Sequence, residues 1–189
     1  MLTPAQVTAV QGWLVATPEV AAMITAADTL GISNYMNGNS TFQVWKSNTL
    51  VTDIDNAINW ANFTPSVIAA GAGQDAMNYM LACQGKQFNL QNIISAAAKT
   101  GTIATGFANI RAGLQDALTG IQSGVSGATV GAGWSAVQLA IQRPANFFEK
   151  IFATGTGSQA APGSLVVEGK IAQTEVSFCI FNDDGTRKI

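Results

Sequence analysis

Residues 143–171, RPANFFEKIFATGTGSQAAPGSLVVEGKI, change character halfway along, and no other stretch constrains the fold as much. They open with Phe147, Phe148, Ile151 and Phe152 at helical spacing, then dissolve into Gly, Thr, Ser, Ala and Pro. The chain resumes as LVVEGKI, with Val166, Glu168 and Lys170 alternating against Leu165, Val167 and Ile171. A period of 3.6 marks a helix and a period of 2 a half-buried strand. The stretch therefore predicts a helix, a soft joint and a strand. Three uses of the joint are open: a phosphate-binding loop, a plain linker, or the hinge of an arm that docks on a neighbour.

The residues before this stretch read as helical. Thr3-Pro4 and Thr17-Pro18-Glu19 are helix starts, with Thr as N-cap and Pro in the first turn. Val7, Val10, Trp13 and Leu14 follow the first, and Val20, Met23, Ile24, Ala27 and Leu30 the second. Further helices are expected over 53–63, 74–98, 107–121, 134–141 and 145–153. NGNS at 37–40 is a turn, TFQVWK at 41–46 a short strand, and SVIAAGAGQ at 66–74 a loop. After the joint, Glu175 and Ser177 alternate with Val176, Phe178 and Ile180 as a second strand. The expected fold is mainly α: a bundle of about six helices, a Gly-rich hinge and a C-terminal extended β-hairpin or arm. The matching division is a helical body at 1–153, a hinge at 154–163 and a β arm at 164–189.

Charge and residue types narrow the chemistry. Only 11% of the 189 residues are charged and the net charge is −2, against about a quarter charged in an ordinary soluble chain. So bare a surface suggests burial by other subunits. The basic residues are scattered, without the stripe that gives sequence-independent nucleic-acid binding its electrostatic footprint, and no specific nucleic-acid binding is expected. There is no histidine, which removes the commonest general base and metal ligand. Cys83 and Cys179 have no CxxC spacing, so no zinc site is expected. ATGTGS at 153–158 lacks the GxxxxGK[ST] pattern of a phosphate loop and follows a helix rather than a strand. Asp53 and Asp55 lie two apart on a helix, where side chains do not share a face. No apolar run spans a membrane, and MLTPAQVTAVQGW lacks the basic and apolar regions of a signal peptide. No enzyme, cofactor or metal is expected.

LTPAQ at 2–6, FQVWK at 42–46 and RPANFFEKIFATGTGSQAAPGSLVVEG at 143–169 together resemble a family of small structural proteins of tailed bacteriophages, the head–tail adaptor (neck or connector) proteins. The most specific piece is EKIFATGTG at 149–157, and Val167-Glu168-Gly169 is similar to the family's FEG-containing strand. CQGKQFNLQ at 83–91 and ANIRAGLQDALT at 108–119 add to the likeness. Asn146-Phe147-Phe148 stands where the family has polar, charged residues, and the tail from 177 onward departs from it.

The resemblance implies a non-enzymatic virion protein. It would form a homo-oligomeric ring under the portal and join capsid to tail, with the portal and a tail-side neck protein as partners. The implied place is the virion neck, assembled in the host cytoplasm, with DNA passing through the ring. Phe148, Phe152, Val166 and Val167 are the expected docking residues of the arm, with Lys150 and Lys170 at its rim. The same residues can instead serve internal packing. Alternatives are another neck or tail component, such as a terminator, stopper or head-decoration protein, and a small ligand-binding helical domain.

Overall fold

The computed structural model describes residues 1–63, 74–123 and 128–189; the loop expected at 66–74 lies almost wholly outside them. Among the described residues the chain is mainly helical, with small two-stranded sheets. It divides into two compact units. Unit 1 joins Met1–Val44 to Pro144–Ile189, and unit 2 is Trp45–Arg143. This division differs from the expected body, hinge and arm. The chain leaves unit 1 along β1 (Asn39–Trp45) and returns along β6 (Gln142–Asn146), and these two strands pair.

Unit 1 begins with α1 (Pro4–Ala16), α2 (Pro18–Thr25) and α3 (Thr29–Met36). The first start signal works as a capping box: Thr3 Oγ1 accepts from the Gln6 amide at 3.3 Å, and the Thr3 amide donates to Gln6 Oε1 at 2.8 Å. The second is used differently. Thr17 makes no side-chain cap; its hydroxyl donates to Trp13 O at 2.7 Å and closes α1 instead. The second expected helix is split at Ala27, which takes a left-handed φ of 57°, a conformation that costs an L-residue roughly 1–2 kcal/mol. Asp28 then caps α3, accepting from the Gly31 amide at 2.8 Å. Gly31 thus lies in the first turn of α3.

The later elements of unit 1 are α8 (Phe147–Phe152), the short antiparallel pair β7 (Ala153–Thr154) and β8 (Ser164–Leu165), and α9 (Gln173–Ile180). The C-terminal β-hairpin of the sequence reading is corrected here: its first strand is only β8, paired with β7, with bends and irregular backbone over 166–172, and its second strand is the helix α9. Val176, Cys179 and Ile180 are fully buried while Phe178 is 50% exposed, so the governing spacing is i, i+3, i+4 and not alternation. A short apolar run satisfies both periods. The core against which α9 packs, through Val10, Leu14, Ile32, Met36 and Phe148, selects the helical one. The tail then folds back on α9, with the Lys188 amide donating to Ile180 O at 2.7 Å.

Unit 2 holds β2 (Thr49–Leu50), α4 (Val51–Ala57), a 3-10 turn (Trp60–Phe63), α5 (Gln74–Ala97), β3 (Thr102–Ile103), α6 (Ala108–Leu118), β4 (Ile121–Ser123), β5 (Ala128–Val130) and α7 (Trp134–Ala140). Its own core gathers Ile54, Phe63, Leu90, Leu114, Leu118, Val137 and Ile141. The helix expected over 53–63 stops at Ala57 and resumes as the 3-10 turn. Gly133, at φ 91°, leaves no room for a side chain beside Ala57 O, where a Cβ would stand at 2.6 Å.

Because α9 belongs to the core, deleting residues 164–189 removes Ile171, Val176 and Ile180 from it. Each buried aliphatic side chain contributes about 1.5–3 kcal/mol, against a total stability of about 5–15 kcal/mol. The deletion is expected to abolish cooperative unfolding of unit 1. Circular dichroism melts of the truncated and full-length chains test this; an unchanged melt refutes the placement of α9.

Candidate interaction surface

The ATGTGS motif forms part of a cradle for one aromatic ring. β7 and β8 close the base of the loop, pairing Ala153 with Leu165 and Thr154 with Ser164. From β1, the Gln43 amide donates to Gly157 O at 2.7 Å, and Gln43 O accepts from the Gly163 amide at 2.8 Å. The Phe42 ring lies against both glycines. A methyl group on Gly157 would overlap the ring, and one on Gly163 would come within 2.5 Å of both Phe42 Cε1 and Thr154 O. Gly157 also holds a left-handed φ of 65° and Gly155 one of 98°, which only glycine adopts without cost. Inside the loop, Thr156 Oγ1 donates to Ala161 O at 2.9 Å, and the Ala161 amide to Ser158 Oγ at 3.0 Å. The expected hinge is thus a closed turn laid along β1.

A second interlock starts from a buried carboxylate. Glu149 is 2% exposed. Its Oε2 accepts from the Asn146 amide at 3.1 Å and its Oε1 from the Gly169 amide at 2.9 Å. Asn146 answers, with Oδ1 accepting from the Glu149 amide at 2.7 Å and Nδ2 donating to Gly169 O at 2.8 Å. This is a capping box that also grips the bend at Gly169, 20 residues further on. Just beyond, Asn37 brackets Ile171 in the same manner: Oδ1 accepts from the Ile171 amide and Nδ2 donates to Ile171 O, both at 2.9 Å. Ser33 Oγ adds a bond to the same carbonyl at 3.0 Å.

Of the six expected docking residues, Phe148 is corrected: it is 3% exposed and belongs to the core of unit 1. Phe147 beside it is half-buried, stacked on Tyr35 with ring centroids 5.0 Å apart. Phe152 is half-buried against Phe148, edge to face with ring centroids 5.4 Å apart, and Val167 rests on the same core. Lys150, Val166 and Lys170 are exposed, Val166 to 75%. The structure therefore separates the six into packing residues and surface residues. A cleft of about 530 Å³ beside α9 was not legible in the sequence. It is lined by Met1, Leu2, Ala172, Thr174, Glu175 and Phe178, and it depends on α9 being helical.

The reactive groups are used structurally or shielded. Among the described residues no group of three or more His, Cys, Asp or Glu side chains converges to hold a metal. No single described helix is long and apolar enough to cross a membrane. Asp55 Oδ1 accepts from Trp60 Nε1 at 3.2 Å. Both cysteines are free and buried. Burial pushes the Cys179 thiol up to about 11, with Lys188 lowering it and Glu175 raising it further, and burial also raises Cys83.

Two expectations follow. Gly157→Ala adds a left-handed alanine, about 1–2 kcal/mol, to an overpacking cost of about 1–3 kcal/mol. Phe42→Ala relieves the second part, so the double variant is expected to lose less stability than the two singles together in denaturant titrations. Additive losses refute the cradle. Since the thiolate is the reacting species, neither thiol is expected to react with a charged maleimide at pH 8 before the chain unfolds; rapid native labelling by mass spectrometry contradicts the burial. Comparison with protein-family models, with curated proteins and with solved structures returns no match, so function is argued from these residues and their geometry.

Proposed function

We propose that the chain is a non-enzymatic structural subunit of a tailed-phage particle, a head–tail adaptor that forms a homo-oligomeric ring under the portal and joins capsid to tail. The observation that carries this reading is where the motif residues of the resemblance go. Phe42, Gly157 and Gly163 form the cradle, and Asn146, Glu149 and Gly169 form the buried interlock. The acid and glycines of the motif, joined by Asn146 from outside it, are occupied in holding unit 1 together, which is what a family signature of a scaffold would preserve. The sparse charge of the chain fits a subunit whose flanks are covered by identical neighbours around a head-to-tail ring.

The partner contact on this reading uses the surface members of the expected docking set: Lys150, Val166 and Lys170. They flank the cradle and the interlock in sequence, so rigid backbone presents them. Mass photometry of the pure chain mixed with the portal protein of the same phage is expected to show multi-subunit rings and their complex with portal. A chain that stays monomeric in the presence of portal sinks the proposal. Val166→Asp with Lys170→Glu is expected to weaken portal association about tenfold or more while leaving the melting temperature unchanged, since exposed substitutions of this kind shift stability by about 0.5 kcal/mol or less.

A further inference from the structure

The turn at 37–40 contains an Asn-Gly pair, Asn37-Gly38. In an open chain such a pair is chemically unstable. The backbone nitrogen of the second residue attacks the side-chain carbonyl carbon of the first, and glycine, without a side chain, leaves that nitrogen unhindered. Asparagine counts among the thermolabile residues. In unit 1 both reacting groups are held out of reach of each other. Asn37 closes α3 as its C-cap, with φ −84° and ψ −4°. Closing the five-membered ring needs the Gly38 nitrogen eclipsed with Asn37 Cβ about the Cα–C bond. A ψ near zero eclipses it with the Asn37 nitrogen instead. The Gly38 amide is also engaged, donating to Tyr35 O at 3.0 Å. The Asn37 side chain is pinned at both ends by Ile171, Oδ1 accepting from its amide and Nδ2 donating to its carbonyl, each at 2.9 Å.

We infer that Asn37-Gly38 is a modification site, a deamidation site that the Ile171 bracket keeps shut in folded unit 1 and that reacts when the segment leading into α9 leaves α3. The Gly38 nitrogen then gives up its proton to solvent and bonds to Asn37 Cγ. The Cγ–Nδ2 bond breaks, ammonia leaves, and a cyclic imide remains. Water opens the imide at one carbonyl or the other, giving aspartate or isoaspartate. Water is the only co-reactant.

The change runs one way because the product cannot rebuild the contact. Nδ2 donates to Ile171 O at 2.9 Å and to Ser33 Oγ at 3.4 Å. A carboxylate oxygen in its place has no proton to give and faces the Ile171 carbonyl, a second acceptor. Isoaspartate adds a backbone carbon at the end of α3 as well. That displaces Gly38, whose carbonyl accepts from the Phe147 amide at 3.1 Å where α8 begins. A chain whose unit 1 has stayed open is thus marked against refolding, and this holds whether or not the chain is an adaptor subunit.

The test holds the full-length chain at pH 8 in buffer and in guanidinium chloride, with fragment mass spectrometry reading acid for amide at position 37. Deamidation in denaturant is expected to be about tenfold faster or more, since the native reaction waits on local opening. Asn34 and Asn39, exposed neighbours with no glycine after them, are expected to lag behind Asn37 in denaturant. Gly38→Ala is expected to slow the reaction there, where folding plays no part. Asn37→Asp, made directly, is expected to shift the unfolding equilibrium about tenfold or more toward the open chain in denaturant titrations. Equal rates at position 37 in buffer and in denaturant overturn the proposal, as does an Asn37→Asp chain as stable as the unmodified one.

Discussion

The Glu149 side chain lies out of reach of water, and a buried polar group is tolerated only where hydrogen-bond partners surround it. Two backbone amides, of Asn146 and Gly169, donate to it, and much of unit 1 follows from these bonds. The first amide sets the start of α8 and therefore which of its faces turns inward, placing Phe148 in the core. The second pulls the chain back to α8 after the glycine loop. From Gly169 the chain has only two residues to reach Ile171, where Asn37 and Ser33 seize the backbone. Ile171 then enters the core and α9 begins in register with α1 and α3. Removing the carboxylate would leave the Asn146 and Gly169 amides to be satisfied some other way, each a cost of about 1–3 kcal/mol.

The glycine loop solves a neighbouring problem by packing rather than by charge. β1 needs its free edge covered, because open strand edges recruit other chains. Gln43 is bonded on that edge by Gly157 and Gly163, and the close approach that this requires leaves Phe42 facing two residues without side chains. Glycine is used here for space and for a left-handed turn, and the turn is held at both ends. A segment that reads by composition as a hinge is thereby one of the more restrained parts of unit 1.

Much of the helical reading carried through to the structure, and its misses have physical causes. The Thr-Pro starts, the strand at FQVWK and the helices near 74–98, 107–121 and 134–141 were legible because caps, prolines and long amphipathic runs are local signals. The second C-terminal strand was misread because eight residues satisfy two periods equally. Phe148 was placed at the surface because adjacent phenylalanines show no inside or outside until a core exists to receive one. The cradle was visible in sequence only as its parts: an aromatic at 42 and glycines at 157 and 163 are more than a hundred residues apart.

By itself, then, the sequence determined the helical class, the Thr-Pro helix starts and the absence of histidine, all of which follow from local backbone preference and residue type. The tertiary structure decided the rest. It divided the chain into two compact units, turned a supposed arm into a core helix, and put Glu149 and Gly169 within hydrogen-bond reach. These outcomes depend on which distant groups come together, and neither periodicity nor propensity along the chain encodes that, because burial and hydrogen-bond satisfaction are settled between elements and not within them.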